Sequence, residues 1–289
     1  MRKIFLFVLL ILSTAFSQEN KSSDKLDLFS PPNIKKFADY LFCNGDYLRA
    51  AEEYKNYLNA NYSDTVEFKI GLAFSRMDKF EKAAGSFAEI PASSDLYPVA
   101  RLEYLKAFFQ TSGFTKYRYL FSRLALNPGF KYLSEAKSLY NFSFFFTAEA
   151  LPDKNKFLDP YIKSDRDSVE KFYDWRENPP YKSPISAAVL SAVIPGLGKF
   201  YTHQYSDGIF AFLATGVLGY LAYTNFNAHH LFRAWLFTGL TAGFYGGNIY
   251  GAAASAQLFN AKINFDFING LKLFLDSRNY FIPEINFCR

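Results

Sequence analysis

His203, His229 and His230 are the only histidines in this chain of 289 residues, and Cys43 and Cys288 are the only cysteines. Adjacent histidines on a helix diverge by about 100°, so the His229-His230 pair would need other ligands to hold a metal. It reads as a solvated pair near an interface. Two cysteines so far apart form no motif, and they are expected to be free or buried thiols rather than a bridge. Pro195-Gly196-Leu197-Gly198 lacks the Gly-x-x-x-x-Gly-Lys-Ser/Thr spacing that cradles phosphate. It reads as a backbone bend that lets helices approach. Asp207 reads as a cap on the helix that follows, where the dipole favours a carboxylate, rather than as a proton relay. No Gly-x-Ser-x-Gly, His-Glu-x-x-His or Cys-x-x-Cys occurs. No catalytic residue, metal site or cofactor is therefore expected.

The elements around these residues fall into two kinds. Residues 1–17 have the form of a secretory signal: Arg2 and Lys3, an apolar core from Ile4 to Leu12, then Ala15-Phe16-Ser17 ahead of Gln18. Residues 18–32 read as a flexible leader. Lysine and arginine alternate with acidic residues, the net charge is only +5, and no basic stripe exists, so nucleic acid is a poor partner. With 34 Phe and 21 Tyr, the chain suits helical packing and anchoring at membrane interfaces.

From residue 33 to 150 the apolar period is helical. Ala38 and Gly71 are small residues in the first helix of a pair. Tyr47, Phe80 and Phe114 follow the turn; Ala50 and Ala83 sit where the second helix crosses. Tyr54, Phe87 and Phe121 complete each unit. The unit recurs every 33 or 34 residues, and at those positions it resembles the tetratricopeptide repeat. The third unit carries Leu105 and Tyr117 at the two small sites. The resemblance implies a stacked helix–turn–helix solenoid that binds a protein or peptide on its concave face. Phe130 to Ala150 reads as a further helix or pair capping the stack.

Residues 151–182 form a charged linker. Its helix, from Ser164 to Arg176, is expected to open on a Ser164/Asp167 cap and to carry an Asp167–Lys171 pair. Trp175 and Tyr181 are placed for the headgroup zone. Residues 183–261 hold three stretches low in charge: a short one from Ser183 to Gly198, then Gly208 to Phe232, then Ala234 to Ala261. The last two are long enough to span a bilayer, which is the expected lipid partner. Two crossings and one re-entrant helix are expected, with three crossings as the alternative. Gly239, Gly243, Gly247 and Gly251 recur every four residues, a pattern that lets helices approach closely. The expected use is packing within the chain, against Ala211, Thr215, Gly219 and Ala222; the alternative is a homodimer through the glycine face. Residues 262–289 read as an amphipathic tail, a helix at the membrane surface ending in an irregular or extended segment.

Ser191, Pro195, Gly196, Gly198 and Tyr201, followed by Asp207-Gly208 at the start of a span, resemble a small bacterial membrane domain with a Ser-x-x-x-Pro-Gly-x-Gly-Gln-x-Tyr signature. A more distant likeness is to the two-transmembrane domain family. Lys199 stands where glutamine is usual. These families imply architecture and hardly any activity. The expected fold is all-α, a solenoid followed by a transmembrane hairpin. The expected role is a non-enzymatic, membrane-anchored repeat protein of the bacterial envelope, with the repeats periplasmic and the anchor in the inner membrane. An accessory subunit for membrane insertion, secretion or envelope assembly is the first alternative; a small transporter or channel element is the second.

Overall fold

A computed structural model describes residues 29–288 of the chain. The expected signal at 1–17 and nearly all of the leader lie outside the described residues. Among the described residues the regular structure is helical, with no strand. The chain divides into two units, one holding residues 29–113 and 283–288, the other Phe114–Ile282.

In the first unit, α1 (Pro31–Cys43), α2 (Tyr47–Ala60), α3 (Asp64–Arg76), α4 (Phe80–Ala88) and α5 (Tyr97–Gln110) each pack on the next. Starts at Pro31, Asp64 and Tyr97, and at Tyr47 and Phe80, recur at the expected interval. The turns explain the period. Gly45, Asp78 and Ser112 adopt left-handed φ of 82°, 56° and 59°. One residue later, the amides of Asp46, Lys79 and Gly113 reach back to the carbonyls of Leu41, Phe74 and Phe108 at 2.9–3.0 Å. This is the Schellman closure of a helix end. Two residues past each left-handed position stands Tyr47, Phe80 or Phe114. Ala38, Ala50, Tyr54, Ala83 and Phe87 are fully buried. Gly71 makes room for a ring: a Cβ there would stand 2.5 Å from Phe87 Cε1.

The third expected pair falls on both sides of the division: α5 belongs to the first unit, α6 (Phe114–Leu124) to the second. Phe121 is buried, and Phe114 stacks on Phe146 at 5.1 Å. The stretch from Phe130 to Ala150 holds one helix, α7 (Leu133–Phe142), running into a 3-10 turn at Ser143–Phe146. The linker contains α8 (Lys154–Leu158) and α9 (Lys163–Glu177). The Ser164/Asp167 cap does not form: Ile162 holds the N-cap position, and Ser164 Oγ bonds Asp165 Oδ1 at 3.0 Å. Among the described residues Asp167 and Lys171 form no ion pair. Lys154 takes the pairing role, with Glu170 at 2.8 Å and Asp174 at 2.7 Å.

The apolar module comprises α10 (Pro184–Val193), α11 (Leu197–Tyr201), α12 (Tyr205–Asn227) and α13 (Leu231–Ser277). At about 1.5 Å per residue, α10 is only about 15 Å long, half a bilayer core. Among the described residues one helix, α12, is both long and apolar enough to cross a membrane. His229, at φ 58°, closes the turn after α12, with His230 N donating to Asn225 O at 2.9 Å. The histidine pair is therefore a connector between helices.

α13 runs 47 residues without interruption, past the expected end of the apolar stretch at Ala261. Its last third is not a free surface helix. Phe267, Leu271, Phe274 and Leu275 are buried. Phe274 stacks on Phe142 at 5.6 Å, and Phe267 meets Phe145 and Phe172. Trp175, expected in the headgroup zone, packs its ring on Phe267 at 5.7 Å.

Candidate functional site

Two places gather the residues singled out by the sequence. The first is the Pro-Gly bend. α10 ends because Ile194 turns extended and Pro195 cannot continue the helical hydrogen bonding. Gly196 then takes φ 88°, and a Cβ there would collide with the Gly208 carbonyl, whose carbon would be 2.9 Å away. A Cβ on Gly198 would meet the Ala187 carbonyl carbon at 2.7 Å and Ser191 Oγ at 2.8 Å. Both glycines are therefore sites of backbone-on-backbone packing. Ser191, fully buried, accepts from Gly198 N at 3.0 Å. Gly208 lies under the Phe200 ring. Tyr201 OH accepts from Ser183 N at 3.2 Å, and Lys182 Nζ lies 4.7 Å over the Tyr201 ring. The motif residues Ser191, Pro195, Gly196, Gly198, Tyr201 and Gly208 thus form one small assembly. Asp207 stands apart from it. It is exposed in the first turn of α12, where Gln204 is the N-cap and no side chain makes a cap bond.

The assembly is clamped to α13. Asn260 grips the Lys182 backbone in both directions, at 2.8 and 2.9 Å. Thr202 Oγ1 meets Ser255 Oγ at 2.8 Å. Ala187, Ala252 and Ala256 close a small core beside Tyr201.

Of the glycine row, only Gly251 approaches another part of the chain, the Lys199 side chain. Gly239, Gly243 and Gly247 are exposed, and a Cβ on any of them would have nothing within 4 Å. The face that packs within the chain carries Ala234, Thr241, Asn248, Ala252 and Ser255, spaced by sevens, fours and threes. That spacing keeps one side of a helix toward its neighbour. On α12, Ala211, Thr215 and Ala222 are buried as expected, and Gly219 approaches the Thr241 methyl.

The second place is in the first unit, and it brings together residues that the sequence analysis had kept apart. Cys43 and Cys288 form a disulfide. The expectation of free thiols fails because the C-terminal segment returns to the first helix pair, a tertiary fact that no local spacing encodes. Residues 283–288 lie against the first helix of each pair. Phe287 packs on Phe68 of α3 at 6.1 Å, under Lys69 Nζ at 4.8 Å. Glu284 faces Lys106 of α5 at 3.7 Å. Cys288 is bonded to the last residue of α1.

Buried charges line this face. Lys69 pairs with Asp39 at 2.6 Å, and Tyr54 OH donates to the same carboxylate at 2.7 Å. Burial pushes the Asp39 carboxyl up, but the hydrogen bonds from Lys69, Tyr54 and Lys35 outweigh it and hold the group below its ordinary value. Burial pushes Glu103 up against the opposing pull of Lys106, 3.0 Å away.

Among the described residues no cluster of histidine, cysteine and carboxylate ligands is placed to hold a metal. His203 Nδ1 pairs with Tyr205 OH, at 2.9 Å. Compared with protein-family models, curated proteins and solved structures, the chain shows no match.

Proposed function

We propose that this chain is a non-enzymatic, membrane-anchored helical-repeat protein of the bacterial envelope, whose tetratricopeptide-like face holds an extended peptide. The observation that carries the reading is the seat of residues 283–288: one short non-helical segment touches α1, α3 and α5 through a disulfide, an aromatic pair and an ion pair. A face that seats its own tail in this way has the shape and charge to seat a partner's segment with a carboxylate three residues before an aromatic ring.

The anchor is α12 together with the first part of α13, as a hairpin. α12 and its neighbours leave Ile209, Phe210, Phe212, Leu213, Phe232 and Trp235 exposed, an apolar surface that water would disfavour and lipid would cover. The disulfide supports two crossings. Cys43 precedes the apolar module and Cys288 follows it, so a bond between them puts both on one side of any membrane the module enters. The crossings between them are then even in number, with α10 as the re-entrant element. A disulfide also fits an oxidising compartment, and so an exported repeat unit.

The test is binding in trans. Full-length protein carrying Cys43→Ser, Cys288→Ser and Phe287→Ala in detergent micelles is titrated with a fluorescent peptide of residues 282–287. Saturable binding that is lost on Lys69→Glu and Lys106→Glu is the expected result. Absence of binding, or binding indifferent to both lysines, removes the peptide-holding role.

A further inference from the structure

The side of α13 left open by its glycines adjoins a cavity of about 450 Å³ whose lining includes Lys199, Phe210, Gly243, Phe244, Gly247 and Asn248. Two polar groups there lack partners. Asn248 is only 6% exposed; its Nδ2 reaches the Ser191 carbonyl at 3.5 Å, while its Oδ1 has no hydrogen-bond partner. A buried carbonyl oxygen left unmatched costs about 1–3 kcal/mol, so a native site ordinarily supplies a donor. Lys199, midway along α11, makes no ion pair or hydrogen bond through its ammonium among the described residues. Its stem instead extends over α13, so that a Cβ on Gly251 would lie 3.7 Å from Cε and 3.9 Å from Nζ. The nearest acidic residue in sequence, Asp207, is exposed and forms no ion pair with it. The rest of the cavity is apolar: the rings of Phe210 and Phe244, and the bare backbone at Gly243 and Gly247.

These features ask for three things in one molecule: an anion for Lys199, a hydrogen-bond donor for Asn248 Oδ1, and an apolar chain for the glycine-floored groove. We infer that the cavity binds a single phospholipid whose headgroup carries a donor, ethanolamine or glycerol. Its phosphate pairs with Lys199, its headgroup N–H or O–H donates to Asn248, and an acyl chain lies along Gly247 and Gly243 between the two rings. The inference rests on the membrane reading above, and the experiment separates the two.

The full-length protein is extracted in mild detergent and examined by native mass spectrometry with added phosphatidylethanolamine, phosphatidylcholine or inorganic phosphate. The expected result is one retained phosphatidylethanolamine, with phosphatidylcholine, which lacks a headgroup donor, retained on the order of tenfold less. Lys199→Met lowers retention on the order of tenfold or more, and Gly247→Leu, whose Cβ enters open space and whose side chain occupies the groove, abolishes it. Equal retention of the two lipids, adducts unchanged in both variants, or displacement by inorganic phosphate overturns the inference. So does a dimer that Gly247→Leu dissociates, since a second copy would then be the occupant. Alkaline carbonate washing of membranes is run alongside. Release of the protein by carbonate overturns the membrane reading and the lipid site together; retention with variant-independent adducts overturns the lipid site alone.

Discussion

Gly198→Ala tests the Pro-Gly bend at its tightest point. The added methyl would meet the Ala187 carbonyl carbon at 2.7 Å and Ser191 Oγ at 2.8 Å, where about 3.4 Å or more is needed. The obstacle is the backbone of α10, which cannot rotate away as a side chain would. Overpacking of this kind costs about 1–3 kcal/mol, and the upper end applies when backbone must shift. Moving α10 also lengthens the Gly198 N–Ser191 Oγ bond, now 3.0 Å, for about 1 kcal/mol more. The expected loss is about 3–4 kcal/mol. Ser191→Ala should cost only about 1 kcal/mol, the hydrogen bond alone. Gly216→Ala provides the contrast. Nothing lies within 4 Å of a Cβ there, and a mid-helix glycine replaced by alanine is neutral or stabilising by up to about 1 kcal/mol. Unfolding of the full chain in detergent micelles, followed by the fluorescence of Trp175 and Trp235, ranks the three variants. If Gly198→Ala lies within 1 kcal/mol of the wild type, or if it and Gly216→Ala shift equally, the close approach of α11 to α10 is wrong.

Three further outcomes are expected. Cys288→Ser removes the bond that holds residues 283–288 and should lower stability by about 2–5 kcal/mol; hydrogen exchange at Phe287 and Lys69 should rise, and unaltered exchange would count against the docked tail. Asp39→Asn leaves Lys69 and Tyr54 without their shared carboxylate and should cost about 2–3 kcal/mol at neutral pH. Because the folded Asp39 titrates below its ordinary value, its contribution is present above that value and lost as pH falls through the depressed one. The gap between variant and wild type in urea midpoint should therefore narrow only below about pH 4, and a gap that widens there contradicts the pairing. Phe142→Ala empties the ring stacked on Phe274 and should cost about 3–5 kcal/mol, read as release of the last third of α13 to protease.

The helices between residues 31 and 110 were legible because their information is local. Ala38, Gly71 and Ala83 recur with the aromatics one helix turn away, and the structure buries them at the same positions. The turns were half legible: Gly45 announces a left-handed residue, whereas Asp78 and Ser112 adopt that conformation without the residue type that signals it. The glycine row misled for a geometric reason. At about 100° per residue, a four-residue step drifts by about 40°, so Gly239 and Gly251 point about 120° apart on a straight helix. Alternating steps of three and four cancel the drift, and Ala234, Thr241, Asn248, Ala252 and Ser255 accordingly form the packed side. The expected boundary near Ala261 followed a change in composition, but tertiary packing carries the helix on: Phe267, Leu271, Phe274 and Leu275 are buried at helical spacing, which outweighs the weak propensity of Asn264, Asp266, Asn269 and Gly270. Nothing local could pair Cys43 with Cys288, or seat Phe287 on Phe68, because both depend on segments separated by most of the chain.

The bond between Cys43 and Cys288 joins positions 245 apart in sequence and closes the chain between them into a covalent ring. A single cut anywhere inside that ring, in the His229-His230 turn or the linker before α10, opens the loop without parting the pieces. On a gel the nicked and intact chains would run as one species until a reductant separates them. Protease mapping of which turns face which side of a membrane must therefore be read in paired lanes, oxidised and reduced. The difference between the lanes, rather than either alone, reports the cuts.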